Sequence, residues 1–486
     1  FFFETKWIAR RKKRSEPDEH DGVVESDARP YPHWILRPFD ESFLRSVRAE
    51  LLGLGTAFKE TDLFRLNQTV DFGNLGPQGF PAIAEVKKQL YSAEFRARVE
   101  RVTNCGTLNS RVDCAGNVYG QGCHLGCHDD CISSRRISYI LYLSDEGWTQ
   151  DDGGALELYA PDNFVPQKTV LPLFGSMMTF RVAAGVSLHS VQEVFSSTRR
   201  RISIQGWFHT DEEIVQRENA TISVLTSSSS SSSVPRNLSS SSSEDVKLSD
   251  WINPVYLKST AALKKSLQSG SVLLNQVLLP QVFSEIASVT NACDEMDQFG
   301  GWHRPEYTDG LADGWNLVGP PHVRRFCLLG DVALQEAKTK LARAGLLLSR
   351  IRTLLCSASF REWVGEIVGE KISVVAEAQV RRFRPGLDYL VAHGQTKSTR
   401  SILYATFCTA QESTEWSSGN VGGHHIFMSG EEDAETARKE AEVYVANNED
   451  DVLSICPASN ALSLVWVKEN SNKVQFVQYV NAGAPG

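Results

Sequence analysis

The segment Cys127-His128-Asp129-Asp130 stands just before a β-branched, aromatic run that begins at Arg135. His128 and Asp130 are two positions apart, so on an extended chain their side chains leave on the same face. A neutral imidazole beside a carboxylate supplies two adjacent corners of a metal site. A second His would complete the 2-His-1-carboxylate facial triad, which leaves positions open on Fe(II). His189, inside the apolar stretch from Val186 to Val191, is the candidate. Arg201 follows and opens Arg201-Ile202-Ser203-Ile204. A buried Arg there would receive a carboxylate bidentately, as a 2-oxoacid cosubstrate requires. An HxD pair alone arises by chance and reads equally as a satisfied His beside a loop carboxylate. The pair before a strand, a distal His and a basic residue about one strand further weigh toward metal.

These residues need a scaffold of short strands. The runs Arg136 to Leu143, Gly154 to Tyr159, Met177 to Val182 and Arg201 to Phe208 are β-branched or aromatic and bounded by turn residues. A helix-forming region from Asp40 to Leu52 precedes them. A second block repeats this order, with a helix from Pro280 and strands at Lys371 to Val375, Ser401 to Phe407 and Leu462 to Val467. Between the blocks, Thr226 to Asp245 collapses into Ser, too polar to offset its ordering entropy, and reads as a flexible linker. The boundaries follow: a basic, flexible tail over 1–30, a first block over 31–212, a linker over 213–250 and a second block over 251–486. Helices followed by many short strands predict a mainly β, α+β fold, with helices packed on an antiparallel sandwich or jelly roll.

The 486 residues carry a net charge of -9, with 41% hydrophobic and 22% charged residues. That composition excludes wholesale disorder. Its acidity argues against direct nucleic-acid binding, which needs clustered Lys and Arg. No apolar run is long enough to cross a bilayer, so no membrane role is expected. The chain opens on Phe1 rather than Met, as a fragment would. Ten Cys are too sparse for a disulfide scaffold, and no secretory signal is visible. Acceptor patterns at Asn67, Asn219 and Asn237 therefore carry no weight. The run Arg10 to Arg14 suits a nuclear-import signal or a solvated arm. The expected compartment is the cytoplasm, the nucleus or both.

The stretch Cys127 to Asp130, the strand from Arg135 to Leu143 and Gly153-Gly154-Ala155-Leu156-Glu157-Leu158-Tyr159 together resemble the 2-oxoglutarate- and iron-dependent prolyl hydroxylases that modify a ribosomal protein. His189 and the run Arg201 to His209 match the closing motif of that family. Asp62 to Gln68 is similar to a segment near its catalytic pocket. The resemblance is specific from about Pro32 to His209 and continues more faintly across the second block. It implies two tandem double-stranded β-helix domains, the first catalytic and the second lacking the metal triad. It makes His128, Asp130 and His189 the iron ligands, and Arg201 the holder of the distal carboxylate of 2-oxoglutarate. Tyr142 would donate to the same carboxylate, and Tyr119 would line the cosubstrate pocket; from the residues alone, Tyr142 reads as a core aromatic. The register Ile-Ser-Ile-x-Gly-Trp selects Arg201 over Arg199 and Arg200.

The implied reaction consumes 2-oxoglutarate and O2 on Fe(II), with L-ascorbate as reductant, and hydroxylates a proline of a small-subunit ribosomal protein at the decoding centre. An effect on translation accuracy or termination would follow. An acidic enzyme suits so basic a partner. The alternatives are the same chemistry on another protein or on an alkylated nucleic acid, and a regulatory binding protein that acts through its second domain.

Other signals are weaker. Cys123, Cys127 and Cys131 recur every four residues, with His124 among them, but fit no zinc or cluster spacing. Chance enrichment is the expected account; oxidation of Cys127 beside a ligand is the route by which they would matter. In the second block, Tyr389 to Gln395 stands where the first has its HxD, with Gln395 in place of the acid. His424 and His425 follow without a carboxylate. No iron is expected there, and packing or docking a partner is the expected use. The charged run Glu431 to Glu440 reads as a solvated helix face.

Overall fold

A computed structural model describes residues 22–76, 78–213, 246–330, 338–391, 400–429, 452–471 and 473–486. The basic run Arg10 to Arg14, the Ser-rich stretch, the acceptor patterns at Asn219 and Asn237, His393, Gln395 and the run Glu431 to Glu440 lie outside the described residues.

The first half carries twelve strands: β1 (Val23–Asp27), β2 (His33–Leu36), β3 (Ala57–Glu60), β4 (Phe64–Gln68), β5 (Cys114–Tyr119), β6 (His124–His128), β7 (Arg135–Tyr142), β8 (Leu156–Leu158), β9 (Lys168–Val170), β10 (Met177–Arg181), β11 (His189–Val191) and β12 (Arg201–His209). They form one curled antiparallel sheet in the order β1-β2-β10-β7-β12-β5-β4-β6-β11-β8-β9, with β3 on β4. Strand β4 pairs with both β5 and β6, so it joins a larger face, β1 through β5, to a smaller one, β6 through β9. This is a double-stranded β-helix, the expected fold. Strand β1 lies inside the stretch expected to be tail and pairs with β2 at the edge of the larger face.

Alternation sorts the larger face into two surfaces. Ile202, Ile204 and Phe208 of β12, with Ile137, Tyr139 and Leu141 of β7, point outward into a core closed by three helices. These are α1 (Glu41–Gly53), α2 (Pro81–Leu90) and α3 (Ala93–Thr103). Helix α1 buries Leu44, Val47 and Leu51, and α2 buries Ile83, Val86 and Leu90, each at helical spacing. The Glu50 carboxylate accepts from the N–H groups of Ala82 and Ile83, so α1 satisfies the open donors at the start of α2. Ser92 caps α3 through the Phe95 N–H. The opposite surface, with Tyr119, Ile140, Tyr142, Met178 and Phe180, faces the inside of the curl and packs against Leu156, Leu158 and Val191 of the smaller face.

The second half contributes β13 (Ser271–Asn275), β14 (Trp315–Val318), β15 (Arg324–Leu329), β16 (Arg381–Arg382), β17 (Tyr389–Leu390), β18 (Ile402–Cys408), β19 (His425–Ser429), β20 (Val452–Ile455), β21 (Ala461–Val467) and β22 (Lys473–Val477). One sheet runs β13-β21-β18; the other runs β14-β15-β17-β22-β19-β20, with β16 on β15. Phe427 from one sheet packs on Val465 and Val467 from the other, so the two face each other. Helices Pro280–Met296, Lys340–Cys356 and Ala358–Val368 cover the outside of the β13 sheet. The strand expected at Lys371 to Val375 is absent: the segment is irregular, and Val374 stands 69% exposed. Its apolar residues have no neighbouring strand to satisfy their backbone, and the pairing goes to β16 instead.

Candidate metal and cosubstrate site

Strand β6 delivers His128 at its last residue, and β11 delivers His189 at its first. The two pair directly across the ladder, with ring centroids 4.2 Å apart. Asp130 lies past the end of β6 at φ 59°, in the left-handed region. The extended geometry expected for His128 and Asp130 therefore does not continue to the acid. A turn brings the carboxylate back, with its Oδ1 at 3.2 Å from His128 Nε2 and its Oδ2 at 3.4 Å from His189 Nε2.

A bulge aims His128. In the pairing of β11 with β6, His189 stands opposite His128 and Val191 opposite Leu125, so β6 spends an extra residue between them. Leu125 and His128 both face the inside of the curl, which simple alternation forbids. Bulges commonly re-aim a side chain beside an active site. The same bulge separates the cysteines. Cys123 joins the inner core, while Cys127 packs outside with Tyr159 and Leu188. All ten Cys of the chain are free thiols, and Cys127 is pushed far up by burial.

The ring nitrogens are sorted by their backbone partners. His128 Nδ1 lies 2.9 Å from the Gly126 carbonyl and His189 Nδ1 lies 2.8 Å from the Ser187 carbonyl. A carbonyl only accepts, so each Nδ1 carries the proton and each Nε2 presents its lone pair inward. Asp130 is buried, which raises a carboxyl, yet His189 and His128 beside it hold it well below the usual range. Burial also works against a charged His128, but Asp130 and the Gly126 carbonyl draw it upward overall. Among the described residues, these three are the one group of His, Cys, Asp and Glu able to hold a metal, with ligand atoms all within 4.8 Å of one another. Two neutral imidazoles and one carboxylate on one side suit Fe(II) with open positions.

Two residues that sequence reasoning passed over fix the acid. Ser138 Oγ donates to Asp130 Oδ2 at 2.9 Å. Asp129, fully buried, accepts from the N–H groups of Cys131 and Gly185, and its carbonyl accepts from Ser187 Oγ. It ties the loop of Asp130 to the loop that precedes His189. Alternation with Tyr142 along β7 was the available signal for Ser138; nothing local marked Asp129.

The cosubstrate residues meet on the larger face. Arg201 is 1% exposed and stands opposite Tyr119 in the ladder. Its Nε donates to the Gly154 carbonyl at 2.8 Å, and its guanidinium carbon lies 4.7 Å from the Tyr119 ring centroid and 5.3 Å from that of Tyr142. Arg201 Nη2, Tyr119 OH and Tyr142 OH are all buried without a hydrogen-bond partner. Burial pushes the Tyr142 hydroxyl up to about 12 despite the Arg201 charge, and raises that of Tyr119 similarly, so both are neutral donors. Orphaned donors in a dry pocket are costly, and a carboxylate would satisfy all three. The residues thus fit both Fe(II) and the distal end of 2-oxoglutarate. On the same inward face as Arg201, β12 carries Ser203, Gln205 and Trp207, and Trp207 stands opposite Ser138. A cavity of about 400 Å³ opens there between Lys59, Gln68, Asp113, Arg135, Gln205 and Trp207.

In the second half, His424 uses both ring nitrogens, on Ser454 Oγ and the Trp416 carbonyl, and His425 Nε2 faces Gln475 Oε1. No helix among the described residues is long and apolar enough to cross a membrane.

Residues 114–209 match the 2OG-Fe(II) oxygenase superfamily model. Residues 243–486 match the model described as oxoglutarate and iron-dependent oxygenase degradation C-term. The chain is 38% identical to the prolyl 3,4-dihydroxylase OGFOD1 of Ostreococcus tauri, over 94% of this chain and 93% of that one. It is 33% identical to the prolyl 3-hydroxylase OGFOD1 of Xenopus laevis, over 55% of this chain and 50% of that one. It is 24% identical to the prolyl 3-hydroxylase sudestada1 of Drosophila melanogaster, over 100% of this chain and 85% of that one.

Proposed function

Because the chain belongs to the family of 2-oxoglutarate- and iron(II)-dependent prolyl hydroxylases, we propose that it hydroxylates a proline of a small-subunit ribosomal protein at the decoding centre, and so affects translation accuracy or termination. The observation that carries the chemistry is the pairing of a convergent His128, Asp130 and His189 triad with three orphaned buried donors at Arg201, Tyr142 and Tyr119.

His128, Asp130 and His189 would hold the iron through Nε2, a carboxylate oxygen and Nε2. Bound iron would supply, with 2-oxoglutarate and O2, the oxidation of a prolyl C–H bond, with succinate and CO2 as co-products and L-ascorbate as reductant. The remaining work belongs to the chain. Arg201 and the two phenols orient the cosubstrate by its distal carboxylate. The Gly126 and Ser187 carbonyls hold each imidazole in the tautomer that ligates. Ser138 fixes the carboxylate. Tyr31, whose hydroxyl donates to the Leu188 carbonyl, and Phe180, edge-on to His189, close the inner wall against water.

With β1 (Val23–Asp27) counted in the catalytic sheet, the same reading divides the chain into a tail that ends before β1, a catalytic domain up to 212, a linker over 213–250 and a second domain over 251–486, which offers its outer surface to a regulatory protein. A cytoplasmic or nuclear location suits a ribosomal substrate. The test is a peptide from the proline loop of that ribosomal protein, incubated with enzyme, Fe(II), 2-oxoglutarate and O2. Mass spectrometry should find a gain of one oxygen or two, the two outcomes that the names of the 3-hydroxylase and 3,4-dihydroxylase relatives distinguish. An unchanged peptide contradicts the substrate assignment.

A further inference from the structure

The smaller face has an outer surface, and its side chains there are not those of a wetted sheet. Alternation sends Glu157, Tyr159, Leu188 and Ser190 outward, away from His189. Glu157 is 2% exposed and Tyr159 is fully buried. A carboxylate buried this deeply must be hydrogen-bonded. Its Oε2 accepts from Ser190 Oγ at 2.9 Å, Tyr159 OH at 3.0 Å and Tyr307 OH at 2.7 Å. The first two belong to the catalytic half; Tyr307 belongs to the second. Arg325, also of the second half, donates to Tyr159 OH at 3.3 Å and lies over the rings of Tyr307 and Tyr389. Its own position is set by the Leu387 carbonyl, which accepts from its Nε at 2.7 Å.

Further along the same surface, His124 stacks on Tyr479 at 4.0 Å, and Glu193 accepts from the Ala482 N–H at 2.8 Å. The second half therefore covers the back of the strands whose fronts carry the two histidines. The covalent path is short: Ser190 is the residue after His189, Glu157 is its ladder partner, and the Tyr159 N–H donates to the carbonyl of Leu188, the residue before His189.

We propose that Tyr307 and Arg325 are positioning residues for the iron site: acting through Glu157, Ser190 and Tyr159, the second half braces strand β11 from behind and fixes where His189 presents its Nε2. This rests on the reading of His128, Asp130 and His189 as the metal ligands. The second half, which has no such group among its described residues, then contributes to catalysis by holding another domain's ligand in place. Groups that orient metal ligands typically change affinity or activity by about 10–100-fold when removed. Tyr307 acts one connection further away, so a three- to tenfold effect is expected, roughly the loss of one hydrogen bond.

The experiment is titration of the full chain with Co(II) as a spectroscopic stand-in for Fe(II), followed by the visible ligand-field bands and by calorimetry. Tyr307→Phe removes one hydroxyl and keeps the ring; Ser190→Ala breaks the same network from the catalytic side. Each should weaken Co(II) binding about three- to tenfold and alter the ligand-field bands, with native far-ultraviolet dichroism. Ile351→Val, in the remote helical core of the second half, should lower Tm and leave the affinity and bands native, which separates bracing from general destabilisation. Native Co(II) affinity and native bands in Tyr307→Phe overturn the brace. A His189→Ala control that binds Co(II) as tightly as the native chain would instead overturn the metal-site reading on which the brace rests.

Discussion

Ser138 Oγ donates to Asp130 Oδ2 at 2.9 Å, joining the larger face of the curl to the one carboxylate of the triad. The contact leaves Asp130 held on both sides, by a serine behind one oxygen and by two imidazoles in front.

Removing that serine hydroxyl should loosen the acid without emptying the site. Ser138→Ala is expected to weaken Fe(II) binding about 10–100-fold, the usual effect of losing a partner that orients a ligand. Equilibrium dialysis under anaerobic conditions measures it; an unchanged dissociation constant would show that Asp130 is positioned without Ser138.

Arg201 should govern 2-oxoglutarate rather than iron. Arg201→Lys keeps a charge but cannot form the planar fork, and is expected to raise the KM for 2-oxoglutarate about 10–100-fold, as loss of a hydrogen bond to a charged group would. Tyr142→Phe should raise it less, about fivefold, for a single phenol donor. Initial rates across a 2-oxoglutarate series, at saturating iron, check both. An equal rise in the iron requirement would misplace Arg201.

Glu193 links stability to pH. Burial pushes its pKa up to about 8, against the pull of the Ala482 N–H, the Tyr479 hydroxyl and the Arg65 charge. The folded chain thus holds a proton there that the unfolded chain releases in the ordinary carboxyl range. The stabilisation is present at low pH and is lost as pH rises from about 4.5 toward about 8, with a slope of at most roughly 1.4 kcal/mol per unit. Glu193→Gln should flatten that part of the profile. Chemical denaturation across this window, with the same slope in both chains, would contradict it.

Gly206 faces the helices from the middle of β12. A Cβ there would lie 2.4 Å from the Asp113 carbonyl oxygen, 2.6 Å from Cys114 Cβ and 2.7 Å from Tyr139 OH. Gly206→Ala should cost about 1–3 kcal/mol by overpacking, seen as a lower Tm, while Arg201 on the inward face keeps its KM for 2-oxoglutarate.

Much of this site is legible in the sequence because metal chemistry allows few residue types and strands fix their spacing. His128, Asp130, His189 and Arg201 each stand beside a readable strand, and the two phenols follow from the family resemblance. What is not legible depends on local backbone and distant packing. The bulge in β6 reverses the face of every residue before it, so Cys123 and Cys127, four apart in sequence, pack on opposite sides of the strand. The left-handed turn at Asp130 replaces the simple alternation that first suggested it. Glu157 and Tyr159 read as ordinary strand residues, because the Tyr307 and Arg325 that give them a purpose lie far along the chain. Lys371 to Val375 has strand composition but no neighbour to pair with.

The proposed function requires that His128, Asp130 and His189 couple 2-oxoglutarate oxidation to prolyl hydroxylation. The decisive measurement counts succinate and peptide-bound oxygen in the same reaction, for the native chain and for His189→Ala. One succinate is expected for each oxygen inserted into the prolyl residue, and neither product from the variant. Hydroxylation that persists in His189→Ala, or oxygen inserted by the native chain without matching succinate, would contradict it.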